Sequence, residues 1–441
     1  MLNQIVEALK KRSDLAGWTV RHVQTRGAQV YAVPQGIESQ RVVDGERYII
    51  DVLRNTTTAE GAPAVGSGDA SLLPGENIDH AIDQATLVAG LVANPVHGLP
   101  GPAPLRDIPL SDELLQEDAS SAMLDVMERI RTAAAKHPRV RLTAAECFGE
   151  LHNTHLVNSR GIDVEQESTQ IDIEFVLHSQ KGDREAETFD AMTRRRVADL
   201  DVEAAIEDRV RYTLDSLEAQ APASWQGPVV LRSDALTIFM AGDDLNGSVI
   251  QTHASAESKY AGFSAWEVGK PVFRGEVKGD PLNVWANRCM PFGSASNLFD
   301  AEGLPAQRIE LIRENELSAF AASQRYADYL QIPATGAFGN IELPAGKTLT
   351  SELLAEPYIE IVQFSWFNPD PITGDFATEI RFGYLVQNGA RKPFKGGQLV
   401  GNYMDALANV RWSAETGFFG NYLGPQTARF NDLKIAGDES E

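Results

Sequence analysis

Residues 139–179 read RVRLTAAECFGELHNTHLVNSRGIDVEQESTQIDIEFVLHS, and their pattern decides the fold class. Apolar and polar residues alternate on both sides of the sequence Asn158-Ser159-Arg160-Gly161, most clearly around Ile171 and Ile173. A period of two is typical of half-buried strands, and a cluster of Asn, Ser and Gly between two such runs indicates a turn. The segment therefore predicts two antiparallel strands of a meander.

The rest of the first half mixes helical and strand patterns. Helical periodicity predicts helices near residues 1–12, 80–93, 112–136 and 201–219. Ser111 is the expected N-cap of the third helix, because a hydroxyl can accept a hydrogen bond from a free backbone N–H of the first turn. Alternation predicts strands at residues 18–25 and 47–54, whereas the small, Gly-rich residues 61–75 are expected to form a surface loop.

The length of the chain and its Pro-bearing segments suggest two domains. A chain of 441 residues is long for one ordinary domain and suits two of roughly 200 residues each. Residues 221–228 contain two prolines and are followed by a Gly- and β-rich half. We therefore predict an α+β protein with a mixed N-terminal domain at residues 1–222 and a β-rich C-terminal domain at residues 223–441.

Composition narrows the classes of partner. The chain has 62 acidic and 39 basic residues, giving a formal net charge of -23. Such a surface repels nucleic acids and anionic membranes, so neither is an expected partner. Cys147 and Cys289 are too few for a disulfide framework, which fits a reducing compartment. Residues 1–12 lack the features of a signal peptide, and prolines interrupt the apolar residues 87–105, so we expect a cytoplasmic protein.

The short motifs that often mark chemistry are incomplete here. His152 and His155 are three residues apart on a predicted strand, which places their side chains on opposite faces. Residues 242–247 resemble a calcium loop without its first and twelfth ligands, and residues 262–266 lack the second glycine of a nucleophile elbow. Gly346-Lys347-Thr348 lacks the upstream glycine of a phosphate loop. Motifs alone therefore identify no catalytic, cofactor-binding or metal-binding residue.

A series of weak motifs in the C-terminal half nevertheless occurs in a recognisable order. The segments are DAEG at 300–303, IELIRENEL at 309–317, Thr335-Gly336, Gly339-Asn340, LPAGK at 343–347, GYLVQNG at 383–389, Lys392-Pro393, Gly401-Asn402 and LKIAG at 433–437. This order resembles the TldD/PmbA family of U62-type peptidases, in which PmbA is also called TldE. In the first half only residues 158–161 are clearly similar to the family.

The resemblance implies a subunit without its own metal. Catalytic members of the family carry H-E-x-x-x-H on a helix and a cysteine on a C-terminal loop, which together hold zinc. The corresponding residues here are 236–244 (LTIFMAGDD) and 415–421 (ETGFFGN), which contain no histidine or cysteine. We therefore predict that this chain binds no zinc and resembles the TldE branch.

The resemblance also implies a partner and a substrate class. A TldE-like chain is expected to form a heterodimer with a TldD-like, zinc-bearing subunit, and the pair would degrade or process unfolded or short peptides that bind in an extended conformation. Obligate interfaces are large and apolar, so the aromatic segments 364–367 and 417–419 are candidate contacts, although core packing is the more usual role of large aromatic side chains.

Two alternatives remain open at this stage. The chain could be a stand-alone, homodimeric module that binds peptides without cleaving them. It could also be an enzyme with a different nucleophile, for which Asp243, Asp244 and Cys289 are the only suggestive groups. Neither alternative is supported by a base beside a nucleophile or by a metal-binding set of residues.

Overall fold

The alternating residues 139–179 form two long antiparallel strands in the computed structural model, which describes residues 1–242 and 247–437. At the turn between them, the side chain of Asn158 accepts hydrogen bonds from the backbone N–H groups of Arg160 and Ile162. Gly161 has a φ of 93°, which a glycine adopts without steric cost. The predicted meander is confirmed.

These two strands belong to an antiparallel sheet of six strands in the order β3-β2-β1-β4-β5-β6. The strands are β1 Gly17–Val33, β2 Gly36–Thr57, β3 Pro63–Leu72, β4 Arg141–Asn158, β5 Asp163–Lys181 and β6 Arg184–Arg194. The first half also contains the helices α1 Leu2–Lys10, α2 Ile78–Leu91, α3 Glu113–Ala135 and α4 Val202–Ser216. Helices and strands together confirm the predicted α+β class.

Two details of the first half differ from the sequence-based prediction. Residues 61–75 were expected to form a loop, but they contain strand β3. The glycines of this strand do not turn the chain; they allow helix α2 to pack closely against it. A Cβ atom on Gly68 would lie 2.2 Å from the carbonyl oxygen of Ala85 on α2. The N-cap of α3 is Asp112 rather than Ser111, since the Asp112 carboxylate accepts a hydrogen bond from the N–H of Leu114.

The helices of the first half form two apolar clusters with the sheet. Ile5, Leu9 and Ile82 bring α1 and α2 together against one part of the sheet. Met127 of α3 and Ile206 of α4 belong to a separate cluster with β4 and β5. The strands are long enough to carry both clusters side by side.

In the second half, five strands pair in a closed ring. The five strands are β7 Trp225–Arg232, β12 Tyr358–Phe364, β13 Asp375–Gln387, β15 Gln398–Asn402 and β19 Thr427–Ala436. Each strand pairs with the next in this order, and β19 pairs with β7 to close the ring. β14 Ala390–Phe394 extends from β13 as a hairpin, and β16 Val410–Trp412 pairs with β19. The hairpin turn consists of Asn388 and Gly389, whose φ values of 55° and 72° are the positive values that a two-residue hairpin turn requires.

A second sheet of six strands lies in the same half, in the order β10-β9-β8-β11-β18-β17. Its strands are β8 Val284–Asn287, β9 Arg308–Arg313, β10 Glu316–Leu317, β11 Asn340–Glu342, β17 Thr416–Phe418 and β18 Tyr422–Pro425. The helices are α5 Ser233–Ala241, α6 Val249–His253, α7 Ala256–Tyr260, α8 Gln324–Leu330, α9 Thr350–Leu353 and α10 Tyr403–Leu407. Helix α5 shares one core cluster with strands of both sheets.

The two halves are joined by buried polar contacts. The guanidinium of Arg195, which lies just after β6, donates hydrogen bonds to the carbonyl oxygens of Gly293 at 2.8 Å, Ser294 at 2.9 Å and Ser296 at 2.7 Å. The domain boundary between residues 222 and 223 falls between α4 and β7 and stays a prediction. None of the helices in residues 1–242 and 247–437 combines the length and apolarity needed to cross a membrane.

Candidate functional site

Helix α5 occupies the position at which the family resemblance places a metal-binding helix. It begins directly after strand β7 and turns one side into the core. Leu236, Phe239 and Met240 on this side are fully buried. The helix is therefore fixed by apolar contacts along its core-facing side.

Phe239 is the centre of an aromatic cluster. Its ring stacks on that of Tyr403 with 4.5 Å between centroids, and the rings of Phe430 and Phe367 lie 5.0 Å and 5.1 Å away. These neighbours come from α10, from β19 and from the loop after β12. Stacked and tilted rings at such distances indicate a filled interior rather than a binding cavity.

This environment does not fit a zinc ion. Zinc in proteins is held by thiolate, imidazole or carboxylate groups, and the buried face of α5 offers none of them. Within the described parts of the chain, no three His, Cys, Asp or Glu side chains are grouped as metal ligands would be. Asp243 and Asp244 lie outside the described residues, as do the central positions of the calcium-like loop at 242–247.

The loop at residues 415–421, where the family resemblance expects a cysteine, carries aromatic side chains. Phe418 and Phe419 are half-buried, and the ring of Phe419 stacks near Tyr422 with centroids 6.3 Å apart. The Glu415 carboxylate accepts hydrogen bonds from both the N–H and the hydroxyl of Thr350. The loop is therefore held by packing and hydrogen bonds, and residues 415–421 themselves contain no cysteine or histidine.

A cleft of about 580 Å³ lies beside the first turn of α5. Its walls include Phe418 and Phe419 and a cluster of charged side chains in which Arg209 bridges two carboxylates. The Arg209 guanidinium lies 2.6 Å from an oxygen of Asp190 and 2.6 Å from an oxygen of Asp234. Burial raises the pKa of Asp190 to about 6, although Arg209 opposes the shift. Since Arg209 is occupied on both sides, we interpret this cluster as a structural ion network.

The remaining candidates from the sequence are dispersed. On β4, His155 contacts Asp163 and Glu165, whereas His152 contacts Thr25, so the two histidines face different partners. Cys289 is half-buried, and burial raises the pKa of its thiol, which disfavours the reactive thiolate form. The structure therefore brings none of the suggestive groups among the described residues into one site.

The candidate interface segments divide between interior and surface. Phe364 and Phe367 are buried, but Trp366 between them is 66% exposed. Sequence reasoning did not anticipate the ring cluster around Phe239, because its members come from three distant segments. Sequence reasoning also missed the ion network of Arg209. Its members Asp190, Arg209 and Asp234 are too far apart in the sequence to form a local pattern.

Comparison with known proteins identifies the C-terminal domain and the fold. Residues 226–437 match the family model of the PmbA/TldA metallopeptidase C-terminal domain, so the C-terminal half of the chain is a domain of that family. An uncharacterized protein of Methanocaldococcus jannaschii is 25% identical over 278 residues, which are 58% of this chain. The match spans 60% of the length of that relative.

Three crystal structures share the fold over nearly the whole chain. TldE from Thermococcus kodakarensis has a TM-score of 0.81 at 19% identity and is matched over 99% of this chain and 100% of its own. A candidate DNA gyrase modulator from Thermotoga maritima has a TM-score of 0.79 at 18% identity, with 99% and 100% coverage. A protein of the same description from Bacteroides thetaiotaomicron has a TM-score of 0.76 at 16% identity, with 99% and 98% coverage.

Proposed function

We propose that this chain is the non-catalytic, TldE-like subunit of a heterodimeric zinc metalloprotease that acts on unfolded or short peptides in the cytoplasm. The zinc and the catalytic groups would belong to a TldD-like partner subunit. This chain would contribute interface area and the walls of the chamber in which peptides are cleaved.

One observation carries the proposal. Helix α5, which corresponds to the metal-binding helix that the family resemblance implies, is an apolar core helix, and its Phe239 packs against Tyr403, Phe367 and Phe430. A zinc protease requires three protein ligands and an open position for water. A packed aromatic cluster supplies neither, which supports an inert role for this subunit.

A peptide-binding contribution is supported by a separate cavity of about 810 Å³ in the C-terminal half. Residues 273–276 line it, and their backbone groups have no hydrogen-bond partner among the described residues. Free backbone N–H and C=O groups beside a cavity can pair with an extended peptide. The same feature would suit the alternative function of a stand-alone, homodimeric peptide-binding module.

The deciding experiment compares the purified chain alone with the chain mixed with a TldD-type homologue from the same cell. Zinc is measured by mass spectrometry, and cleavage is followed with casein and with short peptides. We expect less than one-tenth equivalent of zinc and no cleavage for the chain alone, and chelator-sensitive cleavage by the mixture. Stoichiometric zinc or turnover in the isolated chain would refute the proposal.

The alternatives make different predictions in the same preparations. A peptide-binding module would form a stable homodimer and show no preference for the TldD-type chain. An independent enzyme would lose the activity of the isolated chain when Asp243, Asp244 or Cys289 is replaced by alanine.

A further inference from the structure

The last two turns of helix α2 are apolar on both sides, whereas the outer side of its first turns carries Asp79, His80, Asp83 and Gln84. Its small residues face the sheet, where Cβ atoms on Gly66 and Gly68 would collide with backbone atoms of Ala89 and Ala85. Ile82 is buried against the sheet, but the large residues of the last two turns face outward, and Leu91 is 78% exposed. Apolar helix surface is normally covered, so the outer side of these two turns lacks a covering partner among the described residues.

The exposed apolar region continues beyond the helix. Leu87, Val88, Val92 and Val96 are exposed together with Leu91. Residues 84–105 contain no Asp, Glu, Lys or Arg, in a chain of which 23% of residues are charged. The uncharged composition therefore extends over 22 consecutive positions, most of them exposed.

The region then reaches the second half of the chain. The backbone N–H of Gly98 donates a hydrogen bond of 2.8 Å to the carboxylate of Asp328 on α8. The ring of His97 packs edge-on against Tyr329, and Tyr329 contacts Tyr260 with 4.7 Å between ring centroids. Tyr260 and Phe263 are about half exposed. We call the exposed side chains of residues 87–96 together with Tyr260 and Phe263 the α2 surface.

The size of the α2 surface is that of one side of a protein interface. Its five aliphatic side chains expose on the order of 500 Å², which is near the upper limit for a monomer that has no partner. With the two rings the area reaches roughly 700 Å², close to the approximately 800 Å² that each partner buries in a standard interface. Exposed tyrosine and phenylalanine rings are also typical of interface contacts.

We infer that the α2 surface docks the zinc-bearing homologous subunit, an inference that rests on the proposed function. A second copy of this chain is a poor occupant, because each copy has a net charge of -23 and like charges oppose self-association. The last four residues of the chain, Asp-Glu-Ser-Glu, are mostly acidic and unsuited to cover an apolar surface. A different subunit with a matching apolar strip has neither disadvantage.

The test is a double substitution, Leu87→Glu with Leu91→Glu, in the full-length chain. Two carboxylates would then have to be buried without partners in the complex, while the exposed positions tolerate them in the free chain. The matched control is Val42→Glu, because Val42 is 79% exposed but lies on β2, away from α2. Circular dichroism verifies that both variants fold.

Binding to the TldD-type homologue is measured by titration and by light scattering of the eluted complex. We expect a Kd raised at least 100-fold for the double variant and unchanged, within about twofold, for Val42→Glu. Amides of residues 84–98 should exchange more slowly with deuterium when the homologue is added to the wild type.

The outcomes separate this inference from the proposed function. If the wild type binds the homologue and the double variant binds equally well, the inference is wrong and the proposed function stands. If the wild type does not bind the homologue at all, the proposed function and the inference both fail. If the wild type forms a homodimer that the double substitution abolishes, the surface is an interface but its occupant is a second copy, which also overturns the inference.

Discussion

Replacing Phe239 with alanine tests directly whether the site at α5 is closed by packing. The ring is fully buried and contacts Tyr403, Phe367 and Phe430 at centroid distances of 4.5–5.1 Å. Phe→Ala substitutions in cores cost about 3–5 kcal/mol, because transfer energy is lost and a cavity is left behind. With contacts to three rings and a place near the centre of the cluster, we expect the upper half of that range.

The assay is thermal and urea unfolding followed by tryptophan fluorescence. For a unit of about 200 residues, a loss of about 4 kcal/mol corresponds to a fall in Tm of roughly 8–16 °C. The matched control is Trp366→Ala, which removes a large aromatic side chain close to the cluster in sequence but 66% exposed. The control should change the free energy of unfolding by less than about 1 kcal/mol.

A loss below about 1 kcal/mol for Phe239→Ala would contradict the reasoning. It would mean that the rings do not form a tightly packed interior and that the space around α5 could open to a ligand. The zinc content of the variant adds an independent measurement, and it should remain at background because the substitution creates a cavity without introducing metal ligands.

Two further predictions concern a titrating carboxylate and a close backbone contact. Burial and the neighbouring Asp300 raise the pKa of Glu302 from 4.5 to about 7. Between these two pH values the folded chain keeps a proton on Glu302 that the unfolded chain has lost. The free energy of unfolding should therefore fall by on the order of 2 kcal/mol between pH 4.5 and 7. Glu302→Gln should remove this component of the pH dependence, and identical pH profiles for variant and wild type would refute the assignment. Gly68→Val should destabilise the first half by about 3 kcal/mol or more, because a Cβ would lie 2.2 Å from the backbone oxygen of Ala85. The control is Gly45→Val, where a side chain has open space and should have a small effect on unfolding. Equal Tm values for the two variants would argue against the close contact.

Local patterns predicted the elements whose structure depends on local chemistry. The alternation around Ile171 and Ile173 and the turn at Asn158-Ser159-Arg160-Gly161 depend only on nearby residues, and both predictions are confirmed. Strand β3 was not predicted, because Gly66 and Gly68 provide space for the close packing of helix α2, a contact that the local sequence does not show. A glycine in a turn and a glycine under a helix look the same in a single sequence.

The candidate site shows the same limit. The sequence shows that residues 236–241 contain no zinc ligands, but it does not show which side chains pack there instead. Phe239 contacts Phe367, Tyr403 and Phe430, which are all more than a hundred residues away in the sequence. The exposure of Leu87 and Leu91 on α2 could not be predicted either, because the last two turns of this helix are apolar on both sides and the sequence does not show which side faces the sheet. Only the three-dimensional arrangement separates its small, inward residues from Leu87 and Leu91.

The close seating of α2 on β3 also has a kinetic consequence. A helix held by backbone contacts at Gly66 and Gly68 presents its outer side chains in a fixed arrangement, so little conformational entropy is lost when they are covered. Because residues 84–105 carry no charges, this surface adds no local electrostatic attraction, and we expect association no faster than the roughly 10⁵–10⁶ M⁻¹s⁻¹ of unsteered encounter; ionic strength would act on the rate through the net charge of -23 of the whole chain. Assembly at this surface would then be slow to begin and long-lived once formed, which suits a subunit that joins its partner once and stays.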